Sequence, residues 1–369
     1  MINKILKYFL KKKNSSLLAL GQKVLSFSSR AFNPLHLNIE ITRRCNLECF
    51  FCPSRFTKDE RTDMTIGQFR EALSKLPRLK VLTLLGRGET LINPDIFAMV
   101  DYALSKGIEA IDIVTNGTLF SEENIKKLEG VSNFTVSIDS PDPEEYRKLR
   151  GYSLSKIEEN LQRLVKLAAW KPYVTVQMLV TSGNMRQMKD MLKWAKKIGA
   201  SRCSFILMIA FDEKLDKTNP QFDKEFGNLV REAVSYAKET GIDIVAPSPV
   251  PAKKNCFEPW RSVRVDIAGD IYPCCYIFES DRAWTEFYDG VCLTVNQREY
   301  VMGNIFKDDF AGIWNGPGYR MLRSKVRNNN RLAAVAAGKF SQLRDKQAAG
   351  KKMRFSYCDS CLYRWQCAC

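Results

Sequence analysis

From residue 36 to about residue 210 the chain alternates between two hydrophobic rhythms. Short β-branched and apolar runs recur: "HLNIEIT" (36–42), "VLTLLG" (81–86), "AIDIVTN" (110–116), "FTVSID" (134–139), "YVTVQMLV" (173–180) and "CSFILMIA" (203–210). Such runs suit parallel strands buried on both faces. Between them lie segments with helical spacing, among them "TIGQFREALSKL" (65–76), "NPDIFAMVDYALSKG" (93–107) and "MRQMKDMLKWAKKIG" (185–199). The second carries its own boundaries, with Asn93 as cap, Pro94 in the first turn and Gly107 at the end. A further helix is expected over roughly 222–240. Six strand–helix repeats predict an α/β fold with a parallel sheet and right-handed crossovers, open or barrel-closed.

After about residue 250 the rhythm changes. "VPAKKNCFEPWRSVRVDIAGDIYPCC" reads as a loop, a strand, a turn at "AGD" and a second strand ending in cysteines. A helix near 308–327 follows. Residues 328–352, rich in Ala, Lys and Arg, read as an exposed helix or mobile chain. No repeat at solenoid periods is present.

The length of 369 residues exceeds one small core and predicts a large domain plus a smaller one. No apolar run approaches the roughly 18–20 residues of a membrane-spanning helix. The N-terminus, "MINKILKYFLKKKNSSLLALGQKV", lacks the long apolar stretch and small-residue cleavage site of a secretory signal, so a cytoplasmic protein is expected. The net charge of +16 is unevenly placed. Residues 1–39 hold seven Lys/Arg and no acid, and residues 318–356 hold eleven against the single acid Asp345. The remainder is close to neutral. The basic blocks fit a solvated surface, an anionic membrane face, nucleic acid or an acidic partner. Ile2, Ile5, Leu6, Phe9 and Leu10 fall on one face of a possible N-terminal amphipathic helix, which would dock on a partner, pack under the barrel or lie on an anionic membrane.

Twelve cysteines and one histidine, His36, narrow the chemistry. A cytosolic chain rarely uses cysteine for disulfides, and one histidine excludes sites needing several imidazoles. Cys45, Cys49 and Cys52 lie together in "CNLECFFC". Cys203 stands alone, followed by Cys256, Cys274, Cys275, Cys292, Cys358, Cys361, Cys367 and Cys369. Cys45 follows the first expected strand, where a parallel α/β barrel opens onto its ligand-binding face. Three thiolates from one loop can each hold one iron of a cubic [4Fe–4S] cluster, leaving the fourth iron open to a small molecule. A three-cysteine zinc site wanting a fourth donor, and three plain buried cysteines, are the alternatives.

The Cys-x₃-Cys-x₂-Cys spacing, with Phe51 before the last cysteine, resembles the signature of radical S-adenosylmethionine (SAM) enzymes. The resemblance continues in order through "LLGRGETLINP", "IVTNGTL" and "VSIDSPDPEEYRKLRG". It implies a partial (βα)6 TIM-like barrel with a cluster on Cys45, Cys49 and Cys52. SAM would chelate the fourth iron through its amino and carboxylate groups. Glu89, after Gly88, would bind the amino group, and Phe51 would lie by the adenine. Thr115, Asn116, Ser137 and Asp139 would reach the nucleoside. Two positions depart from the family pattern: Arg87 stands where glycine is common and Thr90 where proline is frequent. The implied chemistry is reductive cleavage of SAM to methionine and a 5′-deoxyadenosyl radical, which takes a hydrogen atom from substrate. A reductant such as flavodoxin or ferredoxin is implied with it.

The later cysteines, with the "AGD" turn, "GNIFKDDFAGIWNGPGYRMLR" and "CDSCLYRWQCAC", are similar to the SPASM/twitch extension of these enzymes. The resemblance implies one auxiliary [4Fe–4S] cluster on Cys256, Cys274, Cys358 and Cys361, with Cys367 as the replacement ligand. Structural zinc on the same thiolates is the alternative. Cys203, Cys275 and Cys292 read as small buried hydrophobes. The expected organisation is a basic extension over 1–35, the barrel over 36–245 and a small cysteine-rich iron–sulfur domain over 246–369.

For function, the leading expectation is oxidation or epimerisation of a small, carbohydrate-like or other biosynthetic metabolite. A peptide maturase of this family usually carries an N-terminal recognition domain, and the 35 residues before the first strand are few for one. RNA modification using the basic segments is a third class, not favoured, because the aromatics of the N-terminal segment, Tyr8, Phe9, Phe27 and Phe32, fit an amphipathic docking helix as well as base stacking. A non-catalytic electron carrier would leave the barrel and the open iron without a purpose.

Overall fold

The structure is a computed structural model and describes residues 28–52, 54, 62–208, 214, 217–220, 223–248, 256–274, 283–288, 291–296 and 300–333. Seven parallel strands follow one another: β1 (His36–Glu40), β2 (Val81–Leu85), β3 (Ala110–Thr115), β4 (Asn133–Ser137), β5 (Tyr173–Val180), β6 (Arg202–Leu207) and β7 (Asp243–Val245). On the far side of β1, β8 (Ser262–Val265) adds in parallel and β9 (Ile271–Tyr272) pairs antiparallel with β8. The sheet order is β7-β6-β5-β4-β3-β2-β1-β8-β9, so it is open, with β7 and β9 as its edges.

The six expected strands are all present, each within a few residues of its sequence pattern. The structure adds β7, a three-residue strand that begins two residues after the helix-ending Gly241 and is too short to leave a pattern. It also joins the cysteine-rich segment to the barrel sheet through the β1–β8 pairing, with Asn38 opposite Arg264 and Ile39 opposite Val265. A separate hairpin, β10 (Ala283–Tyr288) with β11 (Val291–Asn296), was not anticipated; Cys292 lies in it.

The helices are α1 (Ile66–Ser74), α2 (Ile96–Ser105), α3 (Glu122–Lys127), α4 (Pro143–Arg150), α5 (Leu154–Leu167), α6 (Met188–Lys197), α7 (Lys224–Thr240), α8 (Glu258–Arg261), α9 (Phe310–Trp314) and α10 (Pro317–Ala333). Local chemistry sets several ends. Thr65 and Gln68 form a capping box on α1. Asp142 caps α4 through the Glu145 N–H, with Pro143 in its first turn. Leu37, Ile39, Leu82, Leu84, Ile113, Val136 and Val176 bury one face of the sheet against Phe69, Met99, Ile157, Leu161, Met191 and Val230 of the helices. At about 25 cal/mol per Å², burial on this scale is the main stabilisation of the fold. Alternate strand positions are polar and satisfy one another: Asn133 Nδ2 donates to Asp112 at 2.6 Å, and Thr175 Oγ1 donates to Asn133 at 2.9 Å.

Two helix expectations are corrected. Asn93 is not the cap of α2, which starts at Ile96 after Asp95. The buried Asn93 side chain instead donates to Ile41 O at 2.6 Å and Met64 O at 3.0 Å, adding to the bond that Ile41 O already accepts from the Met64 N–H at 2.9 Å. The expected helix at 308–327 is two helices, α9 and α10. Pro317 lacks an N–H, and a Cβ on Gly316 would meet Gly312 O at 2.6 Å. Among the described residues no helix is long and apolar enough to cross a membrane. Cys203 is fully buried in β6, and burial pushes its thiol up to about 12, in keeping with a hydrophobic role.

The single histidine gives a clean test of the packing. His36 Nε2 meets Thr83 Oγ1 at 2.9 Å. Burial pushes its imidazole down from 6.5 to about 4; Glu258 opposes this and Arg261 adds to it. The unfolded chain therefore binds the extra proton between those values, and this contribution is lost as pH falls through them, by about 3 kcal/mol in all. The one imidazole NMR signal should not titrate between pH 8 and 5; a midpoint near 6.5 would contradict the packing.

Candidate functional site

A cavity of about 380 Å³ opens at the C-terminal ends of β1 to β6, and Cys45, Cys49, Cys52, Phe51, Gly88, Glu89, Thr115, Asn116, Ser137 and Asp139 all line it. The sequence-predicted residues of the first domain are thus brought to one place. Its three thiols come from the loop after β1. Leu47 N–H points to Cys45 Sγ at 3.4 Å, Cys52 N–H bonds to Cys49 O at 3.1 Å, and Phe50 N–H bonds to Leu149 O at 2.9 Å. Cys49 and Phe51 pack with Met208, and Leu179 and Leu149 lie against them. The thiols therefore sit on a half-apolar rim.

The loop after β2 presses against the root of that loop. A Cβ on Gly86 would fall 2.4 Å from Thr42 O, and one on Gly88 would fall 2.2 Å from Arg44 O, so both positions need glycine. Glu89 N–H bonds to Arg44 O at 2.8 Å. The two departures from the family pattern are each occupied. Arg87 turns its side chain to Glu40, and Thr90 Oγ1 donates to Val114 O at 2.6 Å.

Glu89 is buried and accepts three hydrogen bonds: from Thr115 Oγ1 at 2.6 Å, Asn116 N–H at 2.6 Å and Leu91 N–H at 3.1 Å. Burial pushes its carboxyl up, while those donors pull it back. Thr115 and Asn116 thus orient Glu89, and Asn116 Nδ2 also donates to Asn46 Oδ1 at 2.8 Å. Asp139 is used on both oxygens, by Arg150 Nε at 2.5 Å and Leu179 N–H at 2.8 Å. Its work is to hold Arg150. That arginine was not singled out from the sequence, yet it lines the cavity, reaches Cys49 Sγ at 3.7 Å and lies over the Phe51 ring at 5.6 Å. "YRKLRG" contained it; only the fold shows which of its two arginines turns inward. Gln177, opposite Ser137 in the β4–β5 register, and Arg264 are further cavity residues that sequence reasoning missed.

The donor set fits an iron–sulfur cluster. All three thiols face one cavity, yet among the described residues no trio of Cys, His, Asp or Glu is gathered around a single point as one ion requires. A cubane would take one thiolate per iron from Cys45, Cys49 and Cys52 and would supply a fourth iron open to a small molecule, in a cavity that Glu89 also lines. Burial raises the Cys45 thiol to about 11, and the Leu47 N–H opposes this; burial raises Cys49 while Arg150 opposes it. Metal binding to these thiols would release protons. In the second region, Cys256 and Cys274 both pack against the cluster of Trp260, Tyr272, Tyr300, Leu322 and Val326. Cys275, Cys358, Cys361 and Cys367 lie outside the described residues, and Cys45, Cys49, Cys52, Cys203, Cys256 and Cys274 form no disulfide.

Comparison with known proteins matches two stretches of the chain. The family model for the radical SAM superfamily matches residues 39–195, and that for the SPASM iron–sulfur cluster-binding domain matches residues 256–362. The antilisterial bacteriocin subtilosin biosynthesis protein AlbA of Bacillus subtilis (strain 168) is 26% identical over 77% of this chain; the match spans 60% of AlbA. The tungsten-containing aldehyde ferredoxin oxidoreductase cofactor-modifying protein of Pyrococcus furiosus is 28% identical over 79% of this chain and 84% of its own. Among solved structures, SuiB of Streptococcus suis bound to S-adenosylmethionine has a TM-score of 0.62 at 16% identity, covering 82% of this chain and 70% of SuiB, a likeness of fold. With its thiol loop, its Gly–Glu loop and its open parallel sheet joined to a cysteine-bearing second region, the chain belongs to the radical SAM superfamily and carries a SPASM domain.

Proposed function

We propose that this chain reductively cleaves SAM and takes a hydrogen atom from a peptide or protein segment. In this reading residues 36–245 are the catalytic barrel and 246–369 the auxiliary domain, with one auxiliary [4Fe–4S] cluster on Cys256, Cys274, Cys358 and Cys361. The observation that carries it is the meeting of Cys45, Cys49 and Cys52 with the buried Glu89 on one cavity wall. When bound, the cluster and SAM supply the one-electron chemistry, with electrons from a carrier such as flavodoxin or ferredoxin. The chain's own residues do the placing. Glu89, fixed by three donors, is set to accept an ammonium group. Arg150, fixed by Asp139, offers a guanidinium to a carboxylate. Gln177 beside Ser137 offers a neutral amide and hydroxyl that suit a peptide unit, and Leu179, Ile206 and Met208 keep that wall apolar.

The peptide reading departs from the carbohydrate-like metabolite expected from the sequence. It is supported by the bacteriocin biosynthesis relative, which matches most of this chain. The test is anaerobic incubation of the reconstituted protein with SAM, reductant and two pools: small peptides encoded beside its gene, and aminocyclitols with other sugars. We expect peptide to stimulate 5′-deoxyadenosine formation and to change mass itself. Stimulation by the sugar pool alone would return the function to small-molecule oxidation.

A further inference from the structure

Glu40 ends β1 and is fully buried. Its two oxygens take five donors from three separate segments. Oε2 accepts from Arg43 Nε and Nη2, both at 3.3 Å, and from the Ile267 N–H at 3.2 Å. Oε1 accepts from the Arg87 N–H at 3.2 Å and from Arg87 Nε at 3.4 Å. These distances are long for charge-assisted bonds, as expected of one carboxylate shared among five donors. Burial pushes its pKa up, but Arg87, Arg43 and Arg264 outweigh this and hold it below the usual range, so Glu40 is an anion.

The identity of the three segments matters more than the number of bonds. Arg43 lies two residues before Cys45, at the root of the thiol loop. Arg87 lies two residues before Glu89, inside the loop whose glycines touch that root. Ile267 lies in the turn between β8 and β9, seven residues before Cys274. The carboxylate is therefore bonded at once to the thiol loop, the Glu89 loop and the hairpin of the SPASM region. Arg87, the departure from the family pattern, is the arm that reaches from the Glu89 loop.

We propose that Glu40 is a positioning residue that sets the SAM-binding loop, the thiol loop and the SPASM hairpin in one register, so that SAM affinity and the seating of the hairpin depend on the same buried carboxylate. This rests on the SAM reading of the cavity for its first half only. A neutral glutamine keeps the shape but removes the counter-ion of the guanidiniums around it, and an uncompensated buried charge is strongly unfavourable. The Glu89 loop and the hairpin should then both loosen.

The test uses Glu40→Gln, Arg87→Gln and the double variant in the full reconstituted protein. For Glu40→Gln we expect KM for SAM to rise about tenfold while kcat for 5′-deoxyadenosine changes far less, because positioning of bound SAM and not the chemistry is disturbed. The SAM-induced change in the cluster's paramagnetic signal should need correspondingly more SAM. Exchange of the Ile267 amide hydrogen should speed up by about tenfold or more. Arg87→Gln should reproduce the KM effect and leave the Ile267 amide protected, since Glu40 still accepts from it. The double variant should fall short of the product of the single effects. Wild-type KM together with wild-type exchange at Ile267 in Glu40→Gln would overturn the proposal. If that variant does not fold, an unchanged KM in Arg87→Gln overturns it instead. Were the SAM reading itself at fault, the wild type would show no SAM-dependent signal at all, while the exchange result would still read the tether.

Discussion

A chain in which Cys45, Cys49 and Cys52 are all alanine should form no 5′-deoxyadenosine from SAM. The three thiols come from a single loop of eight residues and share one cavity with Glu89, so removing them strips every cysteine the described first domain offers to that cavity. Nothing else there replaces them: Cys203 is buried in β6 and its thiol points to Met191 O. The second set should be untouched, because Cys256 and Cys274 pack elsewhere, beside Trp260 and Tyr272. Iron content should therefore fall from about eight to about four per chain, the loss of one cubane of two. Surviving SAM cleavage in the triple variant would refute the assignment. Zinc without iron in that variant would turn the second site into a structural zinc site.

The parts of this architecture legible in the sequence are those whose signal is local. The strands β1 to β6 are buried on both faces or nearly so, and their apolar runs stand out between helical segments. The thiol loop is a contiguous eight-residue word. What stayed hidden was set by partners far along the chain. β8 pairs with β1 across more than two hundred residues, and no periodicity in either segment announces it. Asn93 looked like a helix cap because Asn before Pro is a local cue; the carbonyls of Ile41 and Met64 claim it instead. Arg87 and Thr90 looked like defects in a motif, yet one bonds to Glu40 and the other to Val114. Asp139 is expected to reach the nucleoside, and the fold places it on the cavity wall while it also holds Arg150, a link no local pattern announced. In each case composition named the right chemistry, and the tertiary contact decided which group it served.

The segment before β1 gives the second large effect. Residues 28–32 lie across the helices of the SPASM region near the N-terminal ends of β1 and β8. Trp260 Nε1 donates to Ser28 O at 2.9 Å, Arg323 Nη1 to Ser29 O at 3.3 Å, and Trp314 Nε1 to Phe32 O at 2.7 Å. Asn315 bonds to both sides of Ala31, accepting at 2.9 Å and donating at 3.1 Å. Trp260, Trp314 and Arg323 are buried and Asn315 is half-buried, and the Arg323 guanidinium lies 4.4 Å from the Trp314 ring and 4.9 Å from the Tyr319 ring. A chain beginning at residue 33 loses all of these acceptors at once, whereas one beginning at residue 28 keeps them. The two buried indole N–H groups left unpaired cost about 1–3 kcal/mol each, while Arg323 keeps Pro259 O and Asn315 Oδ1 as acceptors. The shorter chain should therefore melt well below the longer one, by several degrees or more at about 2–4 °C per kcal/mol. Equal melting temperatures would show that the strap carries no stability. The remaining role of residues 1–27, which lie outside the described residues, is separable in the same pair. The membrane alternative for this basic segment, set beside docking on a partner and packing under the barrel, requires the full chain, and not the chain beginning at residue 28, to sediment with anionic liposomes at low salt, where screening is weakest. Absence of sedimentation by the full chain there would end the membrane reading and leave the strap, joining β1 to α9 and α10, as the function of the N-terminal segment that its contacts support.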